Sequence, residues 1–130
     1  MRESIFKIID NAPLTQTVYK MKLQGDVSDI TSSGQFVNIK LDGLYLRRPI
    51  SVCDCEDGVL TLIYKVVGKG TEQMAKMTAG EELNILTGLG NGYDISLSGD
   101  KPLLLGGGVG VPPLYMLAKK LIAEGKKVSV

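Results

Sequence analysis

Arg48-Pro49-Ile50-Ser51 stands just ahead of a strand-like run, and Gly68-Lys69-Gly70-Thr71 follows that run. The first motif sets a fixed cation, a rigid turn and a hydroxyl at one strand end. The Arg48 guanidinium is always protonated, and its planar fork of donors suits a diphosphate. Pro49 fixes its own φ and keeps Arg48 extended, so the side chain is aimed before any ligand arrives. The Ser51 hydroxyl can donate or accept, which suits a nitrogen of a polar ring. Another arrangement of the same residues is a solvated basic pair, Arg47 and Arg48, ahead of an edge strand.

The second motif offers backbone N–H groups where a helix begins, and the partial positive charge there favours an anion. Glycine permits close backbone approach, and Thr71 can add a hydroxyl donor; an ordinary capped turn would read the same way. Its place after Ile63-Tyr64-Lys65, on a strand expected to adjoin the one carrying Ser51, strengthens the ligand reading. Tyr64 offers an aromatic face and Lys65 a charge, and both also suit plain barrel surface. A third motif, Gly106-Gly107-Gly108-Val109-Gly110, follows an apolar run and leads into Pro112-Pro113, with proline tolerated in the first turn of a helix. Gly106, Gly107, Gly108 and Gly110 are therefore candidates for a dinucleotide phosphate. The run is not a strict GxGxxG, because Val111 or Pro113 occupies the third site. The acidic residue that would read a ribose falls about 20 residues further on, at the end of this chain. Two nucleotide-type sites in tandem point to electron transfer between two cofactors.

The elements that must position these motifs divide near Ser98-Gly99-Asp100-Lys101-Pro102. Ahead of it, Ile5 to Ile9, Val18 to Leu23, Phe36 to Leu41, Ile50 to Val52, Val59 to Val67 and Glu82 to Leu86 read as short strands. Val18, Lys20 and Lys22 alternate with Tyr19, Met21 and Leu23, the pattern of a strand with one wet face. Asp10-Asn11-Ala12-Pro13, Asp42-Gly43 and Asp54 to Gly58 read as turns. Thr71 to Met77 reads as a short helix with Thr71 as its N-cap, ended by Thr78-Ala79-Gly80. Six short strands and one small helix predict a mainly β protein with a closed antiparallel barrel over residues 1–98.

Beyond that point Leu103-Leu104-Leu105 reads as a parallel strand buried on both faces. Leu114, Leu117, Ala118, Leu121 and Ile122 mark the inner face of a helix that Gly125 ends, and Val128-Ser129-Val130 begins another strand. Residues 99–130 thus form a βαβ start of the dinucleotide-binding kind, a truncated α/β (Rossmann-like) unit. A doubly wound sheet needs more strands than this to cover both faces. The expectation is that the chain is a piece of a longer one, or that residues 101–130 borrow cover from a partner chain.

Bulk properties exclude several classes. A net charge of +1 and no basic stripe with interleaved aromatics argue against a nucleic-acid partner. The N-terminus lacks an apolar signal core, and no stretch is long enough to span a bilayer, so a cytoplasmic protein with no membrane partner is expected. Histidine is absent, which disfavours Ser-His-Asp and Cys-His nucleophile sites and most zinc sites. Cys53 and Cys55 would point to one face of a strand as two reduced thiols, and two ligands cannot hold a [2Fe–2S] cluster alone.

Leu46-Arg47-Arg48-Pro49-Ile50-Ser51-Val52, Tyr64-Lys65-Val66-Val67-Gly68-Lys69-Gly70-Thr71, Leu89-Gly90-Asn91-Gly92-Tyr93 and the stretch from Gly106 to Tyr115 together resemble a known family. It is that of the electron transfer subunits of NAD-dependent (class 1B) dihydroorotate dehydrogenases, within the ferredoxin-reductase-like flavoproteins. The resemblance covers nearly the whole chain. It implies FAD held by Arg48, Pro49, Ile50 and Ser51, by Ile63, Tyr64 and Lys65, and by Gly70 and Thr71, with NAD as substrate at the later glycines. It also implies a C-terminal cysteine-rich segment holding a [2Fe–2S] cluster and a catalytic partner subunit carrying FMN, in a hetero-oligomer. The overall reaction implied is dihydroorotate oxidation coupled to NAD⁺ reduction, in pyrimidine biosynthesis. The sequence departs from the pattern by lacking the cluster cysteines and most of the nicotinamide domain, and by having Thr87-Gly88 where Gly-Pro is more usual. Two other readings fit the barrel: a subunit of a flavin-based NAD(P)H:ferredoxin transhydrogenase or sulfide dehydrogenase, and a non-catalytic binding or assembly module.

Overall fold

Alternation of apolar and polar side chains closes residues 2–89 into a six-stranded barrel. The computed structural model describes residues 2–94, 96, 99–104, 106 and 112–129. The strands are β1 (Arg2–Pro13), β2 (Val18–Gln24), β3 (Phe36–Lys40), β4 (Arg48–Glu56), β5 (Val59–Lys65) and β6 (Glu82–Leu89), with α1 (Lys69–Ala75) between β5 and β6 and α2 (Pro112–Ala123) beyond the barrel. Every pairing is antiparallel, in the order β1-β2-β5-β4-β3-β6, and β6 returns to β1. Phe6, Ile8, Met21, Leu23, Val37, Ile39, Val52, Leu60, Leu62 and Ile85 fill the interior with almost no exposure. Burying one such side chain is worth about 1.5–3 kcal/mol, so this interior is what holds the strands together.

Two stretches expected as turns are strand instead. Residues 10–13 continue β1, because a bulge between Ile8 and Asp10 lets the strand bend and stay paired with β2 as far as Pro13–Tyr19. The chain reverses at residues 14–17. Asp54–Glu56 likewise belong to β4; the reversal needs only Asp57 (φ 54°) and Gly58 (φ 76°), the two left-handed positions of a tight hairpin. A second bulge lies between Val52 and Asp54, and it breaks the alternation that would set both thiols on one face. Cys55 packs against the barrel core, whereas Cys53 lines a surface hollow with Lys20, Lys22 and Tyr115. Both are free, and burial pushes each thiol above its usual pKa.

Residues 99–129 are organised differently. Leu103 and Ser129 form a parallel bridge, with Leu104 N–H donating to the Ser129 carbonyl at 2.7 Å. Leu103 is 65% exposed, so the expected strand buried on both faces is not what the described residues show; Leu105 lies outside them. Leu114, Leu117 and Leu121 of α2 pack with Leu104, while Ile122, expected on the same inner face, is exposed. Gly125 (φ 81°) ends the helix as expected: its N–H bonds the Ile122 carbonyl, and Lys126 N–H bonds that of Leu121. Among the described residues, no helix is long and apolar enough to cross a membrane.

Candidate functional site

The site is built where β4 changes neighbours. Arg48 to Ser51 pair with Ile39 to Phe36 of β3. The β4–β5 ladder begins only at Val52–Leu62 and runs away from them to Glu56–Val59. Residues 48–51 of β4 and 63–65 of β5 are therefore splayed, with backbone groups on the facing edges that the ladder does not use. An unpaired strand edge is a template for another hydrogen-bonding partner. A cleft of about 350 Å³ opens there, lined by Arg48, Pro49, Ile50, Ser51, Ile63, Tyr64, Lys65, Val67 and Thr71. That volume falls within the usual range for small-molecule sites. Eight of the nine residues expected to hold FAD line it, and the ninth, Gly70, touches Arg48.

That contact fixes the arginine. A Cβ on Gly70 would come within 2.9 Å of Arg48 Cγ and Cδ, and closer still to Nε. The bare Gly70 backbone is thus the surface over which the Arg48 stem lies. Its Nη1 donates to the Leu46 carbonyl at 2.7 Å, and among the described residues no carboxylate pairs with it. Arg47 takes the opposite course. It donates to Asn84 Oδ1 at 2.9 Å and to the Asn38 carbonyl, and it pairs with Glu3 at 3.3 Å. The two arginines are not a solvated pair, and β4 is no edge strand. One is consumed by the barrel wall and the other reserves its fork.

Thr71 departs from expectation. Gly68, in extended backbone, is the N-cap, and Thr71 is the third residue of α1. Its hydroxyl accepts from the N–H of Val67 at 2.9 Å and of Gly68 at 3.2 Å, and it donates to the Gly68 carbonyl. The hydroxyl therefore closes the turn and is not a spare donor. The first helical bond runs from Glu72 N–H to the Gly68 carbonyl, which leaves the amides of Lys69, Gly70 and Thr71 without helical acceptors.

Tyr64 is not barrel surface. It is 2% exposed, stacks on Tyr19 with centroids 5.9 Å apart, and borders the cleft. Its hydroxyl donates to Asn11 Oδ1 at 2.8 Å, and burial pushes its pKa up to about 12. Asn11 in turn donates to the carbonyls of Met74 at 2.7 Å and Met77 at 2.9 Å. Sequence reasoning missed Asn11 because it sits in a turn-like tetrapeptide. The signal was there only in part: the bulge in β1 shifts the alternation by one, and so Asn11, opposite the buried Met21, turns inward rather than Asp10. Of the later glycines, Gly106 is exposed; Gly107, Gly108 and Gly110 lie outside the described residues.

No family model matches the chain. Among curated proteins, it is 45% identical over 134 residues to the "Dihydroorotate dehydrogenase B (NAD(+)), electron transfer subunit" of Enterococcus faecalis, covering 98% of this chain and 51% of that protein. Others of the same name are 38–44% identical. The chain spans about half the length of the curated relatives it matches. Among solved structures, an NADH-dependent reduced ferredoxin-NADP oxidoreductase, described in connection with flavin-based electron bifurcation, superposes with a TM-score of 0.87 at 31% identity, over 96% of this chain and 46% of that one. A ferredoxin NADP⁺ reductase from Neisseria gonorrhoeae with bound FAD and NADP shares the fold, with a TM-score of 0.82 at 18% identity, over 98% of this chain and 56% of that one. Along the span it shares with them, the chain is a homologue of these electron transfer subunits and has the fold of the ferredoxin-reductase-like flavoproteins.

Proposed function

We propose that this chain binds FAD in the cleft between β4 and β5 and is the flavin-carrying part of an electron transfer subunit of an NAD-dependent dihydroorotate dehydrogenase. The observation that carries the reading is the Arg48 stem lying over Gly70 while its fork, paired with no carboxylate among the described residues, borders the same cleft as Ser51 and Tyr64. The residues fit the group in two respects. The splayed backbone edges and the Ser51 hydroxyl suit the polar edge of a flavin ring, and Arg48 suits the diphosphate. Pro49, Ile50, Ile63 and Lys65 would wall the ring, and the amides of Gly70 and Thr71 would be offered to the diphosphate. Bound there, FAD supplies hydride exchange with a nicotinamide and single-electron exchange with an iron–sulfur centre. The protein's part is to orient the ring, hold the diphosphate and keep water from the buried face.

In this reading residues 1–98 are the flavin domain and residues 99–130 begin a nicotinamide domain, with Gly106, Gly107, Gly108 and Gly110 near the NAD phosphates. In this reading the [2Fe–2S] cluster is held by a part of the whole protein outside this span; the curated relatives are about twice as long as the chain. The partner is an FMN-bearing catalytic subunit in a cytoplasmic hetero-oligomer, and this chain alone is inactive with dihydroorotate. A second reading, a transhydrogenase subunit, is favoured by the 0.87 superposition with the ferredoxin-NADP oxidoreductase; turnover of the complete complex with dihydroorotate separates the two.

Flavin titration tests the binding site directly. Arg48→Ala should weaken FAD binding about 10–100-fold, the worth of charge-assisted bonds to a diphosphate. Lys69→Ala should change it far less. Equal affinities for the two variants would count against the assignment.

A further inference from the structure

We infer that Asn11 is a positioning residue for the flavin site, clamping α1 to the barrel so that Gly70 stays seated under Arg48. The inference rests on the FAD reading and deepens it. The Asn11 side chain joins three elements around the cleft: β1, which carries it, β5 through the Tyr64 hydroxyl, and the end of α1 through the carbonyls of Met74 in the helix and Met77 just past it. Each polar atom of the amide is matched to its partner, the oxygen to an O–H and the two N–H groups to the Met74 and Met77 carbonyls. Met74 lies in the last turn of α1 and Met77 two residues past its end; the Met74 carbonyl also accepts the Met77 N–H at 3.1 Å, so the amide adds a second donor there.

The need for such a clamp follows from the dimensions of α1. Seven residues make about two turns, too few to be stable by themselves, so the helix keeps its place through what it packs against. Met74 buries its side chain in the barrel core, and Asn11 bonds the carbonyl of the same residue. At the other end the helix meets Arg48 through Gly70. A tilt of α1 released at the Met74–Met77 end would move Gly70 and with it the Arg48 stem. Tyr64 borders the cleft, so the ring-binding half and the diphosphate-binding half of the site share one hydrogen-bonded link.

Two isosteric variants isolate the two sides of Asn11. In Asn11→Asp the side chain keeps an acceptor for Tyr64 but loses both donors to α1. In Tyr64→Phe the donors to α1 remain and the tyrosine link is cut. Each variant is titrated with FAD and, separately, with riboflavin, which has the ring but no diphosphate. Asn11→Asp should weaken FAD about ten-fold and riboflavin less than about two-fold, because only the diphosphate half is displaced. Tyr64→Phe should weaken FAD by less than Asn11→Asp, with Asn11 still gripping the helix. Amide hydrogen exchange without ligand gives an independent reading: in Asn11→Asp, protection at Glu72 to Ala75 should fall while that of β2 and β5 stays unchanged. Equal proportional losses of FAD and riboflavin, or a uniform loss of protection across the barrel, would mean a general structural role and overturn the inference. Unchanged FAD affinity in a folded Asn11→Asp protein would overturn it too. Wild-type protein that binds neither flavin, with the exchange pattern as expected, would overturn the FAD reading and leave the clamp standing.

Discussion

The barrel and the segment after it are held by different physics. The barrel encloses one interior, sixteen buried residues among those described: twelve from the six strands, Met74 of α1, Ile30 and Leu41 of the connections, and Met116 reaching in from α2. Residues 99–129 make a separate cluster of four buried leucines, and Leu103, Tyr115 and Ile122 remain more than half exposed. Beside Met116, a polar contact docks the segment on the barrel: Lys119 of α2 reaches Asp54 and Glu56 of β4, each at 3.1 Å, and lies 5.4 Å from the Tyr115 ring centre. The cleft lies on the barrel side of this division. The lesson is that the proposed flavin grip rests on the large barrel core, and residues 99–129 join it through Met116 and one exposed ion-pair cluster.

Core truncation should break this comparison most visibly. Leu62→Ala removes a fully buried side chain from the middle of β5 and should cost about 3–4 kcal/mol, with loss of the barrel's cooperative denaturant transition. Leu121→Ala, equally buried but in the small cluster, should cost about 2 kcal/mol and lower α2 helicity while leaving the barrel transition in place. A single shared transition that both variants shift alike would erase the distinction.

Alkaline pH should single out the barrel next. Tyr64 is held neutral in the fold, with its pKa pushed from about 10 up to about 12. The folded state then binds the proton more tightly than the unfolded chain. Stability is intact below pH 10 and falls as pH rises toward 12, by roughly 2–3 kcal/mol in all. In Tyr64→Phe that part of the alkaline slope should vanish in urea melts; the two raised thiols would leave a remainder, removable with Cys53→Ser and Cys55→Ser.

A smaller effect is expected at the cleft. Gly70→Ala places a methyl group against the Arg48 stem, and the arginine, being flexible, should swing aside. FAD affinity should drop about ten-fold, the scale of one displaced charge-assisted bond, with thermal stability nearly unchanged. Wild-type affinity in this variant would detach Gly70 from the site. Smallest of all should be Lys119→Ala. Glu56 and Lys119 are well exposed, and exposed ion pairs contribute about 0.2–1 kcal/mol, so only a slight, salt-sensitive loss at α2 is expected in the melting curve.

The strand runs, the small helix and the glycine end of α2 were legible locally, since period-two alternation and turn chemistry are properties of short stretches. Nearly all of the site could be named for the same reason: Arg48 to Ser51 and Ile63 to Thr71 are contiguous, and each sits at a strand end. Local reading failed where distant pairing defines the element, and over which residue caps α1. Asp10-Asn11-Ala12-Pro13 has turn composition, yet pairing with β2 keeps it extended. Thr71 has cap chemistry, yet the extended Gly68 takes the cap and turns the threonine back on it.

By itself the sequence determined that there would be a barrel, a cationic strand end and a glycine turn after the neighbouring strand, because these follow from side-chain chemistry and spacing. Only tertiary structure decided which of two adjacent arginines keeps its fork available. Arg47 meets Glu3, Asn38 and Asn84, contributed by three other strands, and Arg48 meets the bare backbone of α1. It also decided that a bulge would turn Asn11 inward to join helix and strand. The physical reason is the same in both cases: a side chain's partner is set by which strands become neighbours on closure, and closure pairs residues dozens of positions apart.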